Sequence, residues 1–174
     1  MSALENTPLN QNFQSPQAFK FFLRRAPTLN FFIQKTAVPE ISLEPTSQPT
    51  PFTVIPLPGD HIDYMPYQLT FKVDEDLKNY LEIHDWLRSL GFPERYDEYV
   101  MKTNRPRTDL TGLTSDIQLL LLTSSENPSH SINFVDAHPV HLSALEFNTT
   151  DTTINFLEAT VIFKYTNFYI ESII

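Results

Sequence analysis

The sequence predicts a mainly β domain of the α+β class with one amphipathic helix, and three observations lead to that prediction. Residues 67–73 alternate apolar and polar side chains, which is the period of a strand with one buried face. Residues 77–90 instead repeat apolar side chains at helical spacing. After residue 113 the chain returns to strand-like segments. The chain therefore builds a sheet, crosses once by a helix and returns to sheet.

Length and composition indicate a folded domain with a core. The chain has 174 residues, enough for one domain and short for two. Hydrophobic residues make up 41% and aromatic residues 13%, with fourteen Phe and seven Tyr beside three Gly and fourteen Pro. This composition suggests flat apolar surfaces joined by stiff loops. Those surfaces are covered either by a large internal core or by other subunits, and composition leaves both open.

Charge and cysteine content exclude several function classes. The net charge of −9 argues against a general nucleic-acid binder, which needs a basic patch to neutralise phosphates. The absence of cysteine excludes a disulfide framework, a thiolate zinc site and a thiol nucleophile. Residues 1–16 lack the charged and apolar regions of a signal peptide, and no apolar run approaches the roughly 20 residues that span a bilayer. We expect a soluble protein made in a cytoplasm.

The chain is predicted to hold an extended N-terminal arm and one domain. Residues 1–16 are polar and form the arm, and residues 17–170 form the domain. Two segments, 38–66 and 92–113, are predicted insertion loops within it. The second is long, mixed in charge and weakly patterned, which is typical of a functional or interacting loop.

The first strands of the domain are predicted to form a phenylalanine-rich hairpin. Residues 18–24 and 29–36 read as strands, with a turn at 25–28. Alternation places Phe19, Phe21 and Leu23 on one face.

The following segment is predicted to be stiff and not to pair centrally in a sheet. Each proline removes a ladder donor, so only short strands or edge segments are expected, at 41–43 and 52–55. Gly59 and Asp60 mark the turn before the next strand. The prolines concerned are Pro39, Pro45, Pro49, Pro51, Pro56 and Pro58.

The helix has predicted start and stop signals. Asp74 is the expected N-cap, with Glu75 and Asp76 adding negative charge to the first turn. Gly91 is placed to close the C-terminus. The apolar stripe expected to face the sheet consists of Leu77, Tyr80, Leu81, His84, Leu87 and Leu90.

The last third is predicted to contain four strands. Residues 115–123 and 131–135 form a hairpin around a turn at 126–129. Residues 141–147 form another strand, which turns at 148–153. Residues 156–165 alternate clearly and are expected to be the final strand.

A search for catalytic or metal-binding patterns finds none. Glycine occurs only at positions 59, 91 and 112, so neither a dinucleotide fingerprint nor a Walker A loop exists. His138 and His141, beside Asp136, are the closest approach to a metal pair. They lack the helical spacing of known zinc motifs, and Pro139 forbids a regular helix interior there. We interpret them as polar residues at a strand entry.

The remaining polar clusters have plain structural interpretations. His61, between Asp60 and Asp63, is expected to form a surface ion pair, and the acidic run at 74–76 is explained by the helix N-terminus. Residues 94–98 form a solvated loop face. The helix residues His84 and Trp86 are expected to pack on the sheet. No catalytic, cofactor-binding or metal-binding residue is therefore predicted, and the protein is not expected to be an enzyme.

The order of these elements resembles the tail-tube proteins of T-even-type contractile-tailed bacteriophages. The resemblance rests on the phenylalanine-rich hairpin, the proline-bearing excursion, the strand that leads into Asp74-Glu-Asp76, and the helix that ends Trp86-Leu-Arg-Ser-Leu-Gly91. The segment Phe134-Val-Asp-Ala-His-Pro-Val-His-Leu-Ser-Ala-Leu145 and the aromatic strand after it look like the family's closing β-hairpin.

The resemblance implies a fold, a function and partners. It implies an antiparallel β-sandwich or half-barrel with the helix outside, completing a continuous β-barrel across a hexameric ring. It also implies stacked rings, contacts with sheath and baseplate hub proteins, and a virion protein synthesised in a host bacterial cytoplasm. Genomic DNA would pass through the lumen without specific binding, which suits an acidic protein.

Three alternatives remain open at this point. The arm and the 92–113 loop suit a baseplate hub or tube-initiator ring of the same fold. From a different class, a soluble ligand-binding β-domain would use Trp86, Tyr96 and Tyr99 as an aromatic platform. An enzyme acting through His138 and His141 comes third.

Overall fold

The computed structural model describes residues 12–91, 113–150 and 155–173. The predicted loop at 92–113, apart from Leu113, and most of the arm at 1–16 therefore lie outside the described residues. The strands, in chain order, are β1 (Phe19–Leu23), β2 (Ile33–Thr36), β3 (Ile41–Leu43), β4 (Thr46–Pro49), β5 (Val54–Leu57), β6 (Ile62–Tyr64), β7 (Tyr67–Lys72), β8 (Ser115–Leu122), β9 (Pro128–Leu142), β10 (Glu158–Lys164) and β11 (Asn167–Ser172). The helix α1 (Lys78–Gly91) follows β7, and a short 3-10 helix covers Leu29–Phe31.

Two antiparallel sheets share the long strand β9. The first sheet has the order β1-β8-β9-β11, and the second has the order β9-β10-β7-β2. The first half of β9 pairs with β8 and β11, and its second half pairs with β10. The predicted mainly β, antiparallel fold with one helix is confirmed.

The core lies between the two sheets and includes aromatic rings from both that contact each other. Tyr67 of the second sheet stacks on Phe21 and packs against Phe134 of the first sheet, with ring centroids 6.3 and 4.5 Å away. Burial raises the pKa of Tyr67, and the hydrogen bond from Thr36 opposes part of that rise. The alternation predicted for β1, β7 and β10 is confirmed, because their odd-numbered residues are the ones that face the core.

The helix starts later than predicted and turns a different face to the core. Asp74 is not the N-cap, because residues 74–77 form a turn and Leu77 takes a positive φ of 58° before the helix begins at Lys78. The buried positions are Asn79, Ile83, Trp86 and Ser89, whereas Leu81 of the predicted stripe is exposed. Leu87 and Leu90 are partly buried at the edge of the true face. Gly91 ends the helix as predicted, without a left-handed backbone conformation.

The buried Asn79 fixes the helix to the end of β7. Its side-chain amide donates to the Lys72 carbonyl at 2.7 Å and accepts from the Asp74 backbone N–H at 3.2 Å. Ser89 is buried with its hydroxyl on the Trp86 carbonyl at 2.6 Å. Polar side chains can be buried when their hydrogen bonds are made within the protein. The pattern of hydrophobic residues alone therefore assigned the wrong face of the helix to the core.

Three strand predictions are also wrong. The segments 18–24 and 29–36 do not form a hairpin, because the 3-10 helix turns the chain so that β1 pairs with β8 and β2 with β7. The segments 131–135 and 141–147 are not separate strands; β9 bends at Asp136, where φ is 56°, and changes partners. The segment 156–165 is not the last strand, because β11 follows it.

The proline-rich segment from β3 to β6, residues 41–64, forms a projecting hairpin whose strands pair only with one another. Strand β3 pairs with β6, and β4 pairs with β5 farther out. This agrees with the prediction of short strands excluded from the central sheet. Where the two ladders meet, Gly59 lies so close to Glu44 that a Cβ on it would stand 1.9 Å from the Glu44 carbonyl oxygen. Within the described residues, no helix is long and apolar enough to cross a membrane.

Candidate assembly surfaces

The residues that the sequence singled out for chemistry do not assemble into a site. His138 lies opposite Lys164 of β10 and His141 opposite Ile162, and the register shift between these pairs leaves both histidines on the same face of β9. His61 is an exposed partner of Asp63 at 3.4 Å, as the ion-pair interpretation predicted. Among the described residues, no group of three or more His, Asp or Glu side chains could hold a metal ion.

The acidic run before the helix and the helix tryptophan have structural contacts. Asp76 pairs with Lys78 at 2.6 Å on the surface, and the hydrogen bond from that ammonium lowers the pKa of Asp76. Trp86 is buried; its Nε1 donates to the Leu113 carbonyl at 2.9 Å, and the Arg25 guanidinium lies 4.9 Å from its ring centroid. Burial lowers the pKa of Arg25. Trp86 therefore does not serve an exposed aromatic platform, and its proposed companions Tyr96 and Tyr99 lie outside the described residues.

The projecting hairpin carries much of the exposed apolar surface. Half of the large apolar side chains that are exposed in the described residues lie between positions 38 and 65. Phe52 at the tip is 97% exposed. A two-stranded hairpin is marginal alone in water, and exposed apolar patches of this extent mark contact surfaces. The side chains are Val38, Ile41, Leu43, Phe52, Val54, Ile55, Leu57, Ile62, Tyr64 and Met65.

The root of this hairpin is anchored to the sandwich. The Tyr165 hydroxyl donates to the Met65 carbonyl at 2.8 Å, and the Met65 N–H donates to the Glu40 carbonyl at 3.1 Å. The Tyr64 ring packs against Tyr165 and Phe168, with centroids 6.1 and 5.8 Å apart. Burial raises the pKa of Tyr165 to about 12, and the nearby Tyr64 adds to the rise. These contacts hold the root of the hairpin against the sandwich.

The first sheet ends in two edge strands, β1 and β11, that have no further strand partner among the described residues. At the β1 edge, the Asn30 side chain accepts from the Leu23 N–H at 2.9 Å and donates to the Leu23 carbonyl at 3.3 Å. Asn30 thus occupies the place of a neighbouring strand at the last residue of β1. An exposed strand edge is otherwise a template for pairing with another chain.

A groove of about 640 Å³ runs beside the rest of the β1 edge. Its apolar walls come from Phe19 and Phe21 of β1 and from Phe31 and Ile33 on the approach to β2. The groove therefore lies between β1 of the first sheet and the start of β2 in the second sheet.

The outward face of the first sheet carries a network of hydrogen-bonded polar side chains, with a basic residue at one edge and an acidic residue at the other. A line of hydrogen bonds crosses it from Gln118 to Ser131 at 2.9 Å, from Ser131 to Asn133 at 3.0 Å, and from Asn133 to Glu171 at 3.3 Å. Lys20 lies on β1 at the opposite edge from Glu171 on β11. These features were missed by sequence reasoning because β11 has almost no buried face and gives no alternation signal.

Comparison with known proteins supports the fold. No protein-family model and no curated protein matches the chain. Among solved structures, a chain of the anti-feeding prophage tube-terminating cap matches with a TM-score of 0.60 at 12% identity, covering 99% of both chains. A chain of the anti-feeding prophage baseplate matches with a TM-score of 0.59 at 14% identity, covering 88% of this chain and 90% of its own. A chain of the extended PVC sheath-tube complex, an extracellular contractile injection system, matches with a TM-score of 0.56 at 10% identity and 99% coverage of both. The chain thus has the fold of subunits of contractile injection systems, in agreement with the resemblance to tail-tube proteins.

Proposed function

We propose that this chain is a structural subunit of the inner tube of a contractile tail, or of the ring that joins or caps such a tube. The observation that carries the proposal is that β1 and β11, at opposite ends of one sheet, each have an edge without a strand partner in the part of the chain that the structure describes. Such a sheet continues from one copy to the next, and closing it into a ring removes the exposed edges. The fold shared with contractile injection systems supports this role.

The hairpin supports a second contact, between stacked rings. Its apolar residues are exposed in the single chain, while its root is held by Tyr64, Met65 and Tyr165. A fixed apolar arm of this kind binds a preformed surface on a neighbouring ring without the cost of ordering a loop. The surrounding partners we propose are sheath and baseplate proteins, in a phage virion or in a phage-related injection machine.

The number of subunits and the cargo extend this proposal. Six copies per ring agree with the sixfold symmetry stated for the anti-feeding prophage baseplate. The net charge of −9 favours a channel that lets DNA slide past without holding its phosphates. The work is mechanical, and no catalytic step is assigned.

Electron microscopy of the purified chain tests the proposal. We expect hollow tubes or rings with a central channel. Rings that do not stack would assign the chain to an initiator, hub or cap position, and monomers at all concentrations would contradict the proposal.

A matched pair of variants separates ring formation from stacking. Replacing residues 46–57 by a short glycine-containing turn removes β4, β5 and the apolar tip but leaves β3, β6 and the anchored root. We expect this variant to form rings that do not stack. The control Phe52→Ser keeps the hairpin backbone and should weaken stacking only in part. Long tubes from the deletion variant would refute a stacking role for the hairpin.

A further inference from the structure

We propose that β11 of one copy adds to β1 of the next copy as an antiparallel strand that lies in the groove beside β1. At this contact between copies, the seam, Glu171 faces Lys20. This inference rests on the proposed ring and names the contact that closes it. Each neighbouring pair in the order β1-β8-β9-β11 is antiparallel, so β1 and β11 run in opposite directions. Rotation about an axis along the strands then brings β11 beside β1 in antiparallel orientation.

The backbone hydrogen-bonding pattern is consistent with this joint. In an antiparallel pair, alternate residues direct their N–H and C=O groups to alternate sides. The Leu122 N–H donates to the Ala18 carbonyl, so the even residues of β1 direct their backbone N–H and C=O groups to β8. The backbone groups of Phe21 are therefore directed to the groove. The Ile173 N–H donates to the Ser129 carbonyl, so the odd residues of β11 direct their backbone groups to β9. The backbone groups of Ile170 are therefore directed to the free edge of the sheet. Phe21 and Ile170 can therefore form a hydrogen-bonded pair across the seam.

The side chains at the two edges also match. The residue rows run from Phe21 through Leu119 and Ile132 to Ile170. Phe21 is 4% exposed, whereas Ile170, in the same core-facing row, is 57% exposed, since no strand among the described residues lies beyond β11. The groove beside β1 has the apolar walls that would cover Ile170.

The neighbouring rows pair opposite charges and aromatic rings. One row joins Lys20 to Glu171, and another joins Phe22 to Tyr169, so each edge presents the complement of the other. Closing a barrel requires a stagger between strands. The stagger comes in steps of two residues, since an odd step would turn core residues outward. A shift of two leaves Lys20 and Glu171 as diagonal neighbours, still within reach for long side chains.

Asn30 sets the end of the joint. It already bonds both backbone groups of Leu23, so Phe21 is the last residue of β1 whose backbone can bond to an added strand, and Phe22 is the last that can lie opposite one. Strand β11 has six residues and β1 has five, so β11 is long enough to lie along the part of β1 that carries Lys20 and Phe22.

Charge reversal tests the pairing. We expect Lys20→Glu and Glu171→Lys each to raise the protein concentration needed for half-assembly by about tenfold or more, because like charges then meet at every seam. The double variant should return close to the wild-type value. Lys164→Glu, an exposed lysine on β10 of the second sheet, is the control and should have a small effect. Thermal melts of each variant show whether the single chain still folds.

Cysteine trapping gives an independent test, because the chain has no native cysteine. Phe22 and Tyr169 would form a non-hydrogen-bonded pair, whose Cα separation of roughly 4.5 Å suits a disulfide. With both changed to Cys, oxidation should give a covalent ladder that ends at the ring size. Either single-cysteine variant can give dimers at most.

The outcomes distinguish the seam from the ring itself. Wild-type rings together with a ladder and charge-swap rescue support both proposals. Wild-type rings without a ladder or rescue would overturn the seam and leave the ring. Monomers that give no ladder at high concentration would overturn both.

Discussion

The helix offers a direct test of which side chains hold the domain together. Ile83 is 0% exposed in the core, whereas Leu81, two residues away, is 47% exposed. We predict that Ile83→Ala lowers the free energy of unfolding by about 3 kcal/mol, within the range for deleting a buried aliphatic side chain. Leu81→Ala should change it by about 0.5 kcal/mol or less, because alanine is the better helix former and little packing is lost.

Urea unfolding followed by circular dichroism measures both changes under conditions that keep the chain monomeric. At this chain length, 3 kcal/mol corresponds to a fall in Tm of about 6–12 °C, and Leu81→Ala should stay within about 2 °C of wild type. The two variants have similar side-chain volumes removed, and so the comparison isolates burial. Equal losses from both would refute the assigned helix face, and a larger loss from Leu81→Ala would restore the stripe that the sequence pattern predicted.

Three further predictions follow from single contacts. Gly59→Ala should loosen the projecting hairpin, because its Cβ would stand 1.9 Å from a backbone oxygen, and amide exchange in residues 43–57 should quicken; Gly91→Ala, with nothing within 4 Å, is the control and should leave exchange unchanged. Asn79→Ala should cost about 1–3 kcal/mol in urea unfolding, since it leaves the Lys72 carbonyl without its 2.7 Å donor, and an unchanged midpoint would argue against this anchor. Burial raises the pKa of Tyr67, so the folded state favours the neutral phenol and loses stability as the pH rises above the ordinary value of 10.0. Tyr67→Phe should therefore show a shallower loss of stability than wild type as the pH rises above about 10, and identical slopes would contradict the assignment.

Local pattern predicted the parts of the fold whose burial follows the chain. Strands β7 and β10 have one face in the core and one in solvent, so their alternation was sufficient. The β8–β9 hairpin was predicted because its turn is local, although that turn covers residues 123–127 instead of 126–129. The resemblance in element order correctly indicated the tube-type fold.

Features that depend on distant partners were beyond local pattern. The pairing of β1 with β8 joins segments about a hundred residues apart, and the 3-10 helix that prevents a β1–β2 hairpin gives no strong signal. The helix face was misassigned because Asn79 and Ser89 are buried through their hydrogen bonds. The candidate seam depends on two sheet edges, and an edge is defined only when the whole strand order is known.

The anchored hairpin gives the subunit a top and a bottom. It leaves the sandwich at one place, and its direction is held by Tyr165 and the ring of Tyr64. A ring built from such subunits has two unlike faces, so rings join head to tail and every join leaves the same unsatisfied surface at the growing end. A heterologous contact of this kind does not close on itself. In the stack of rings proposed above, no contact between copies limits their number, so the length would be set by a different molecule that covers the last hairpin or the first receiving surface.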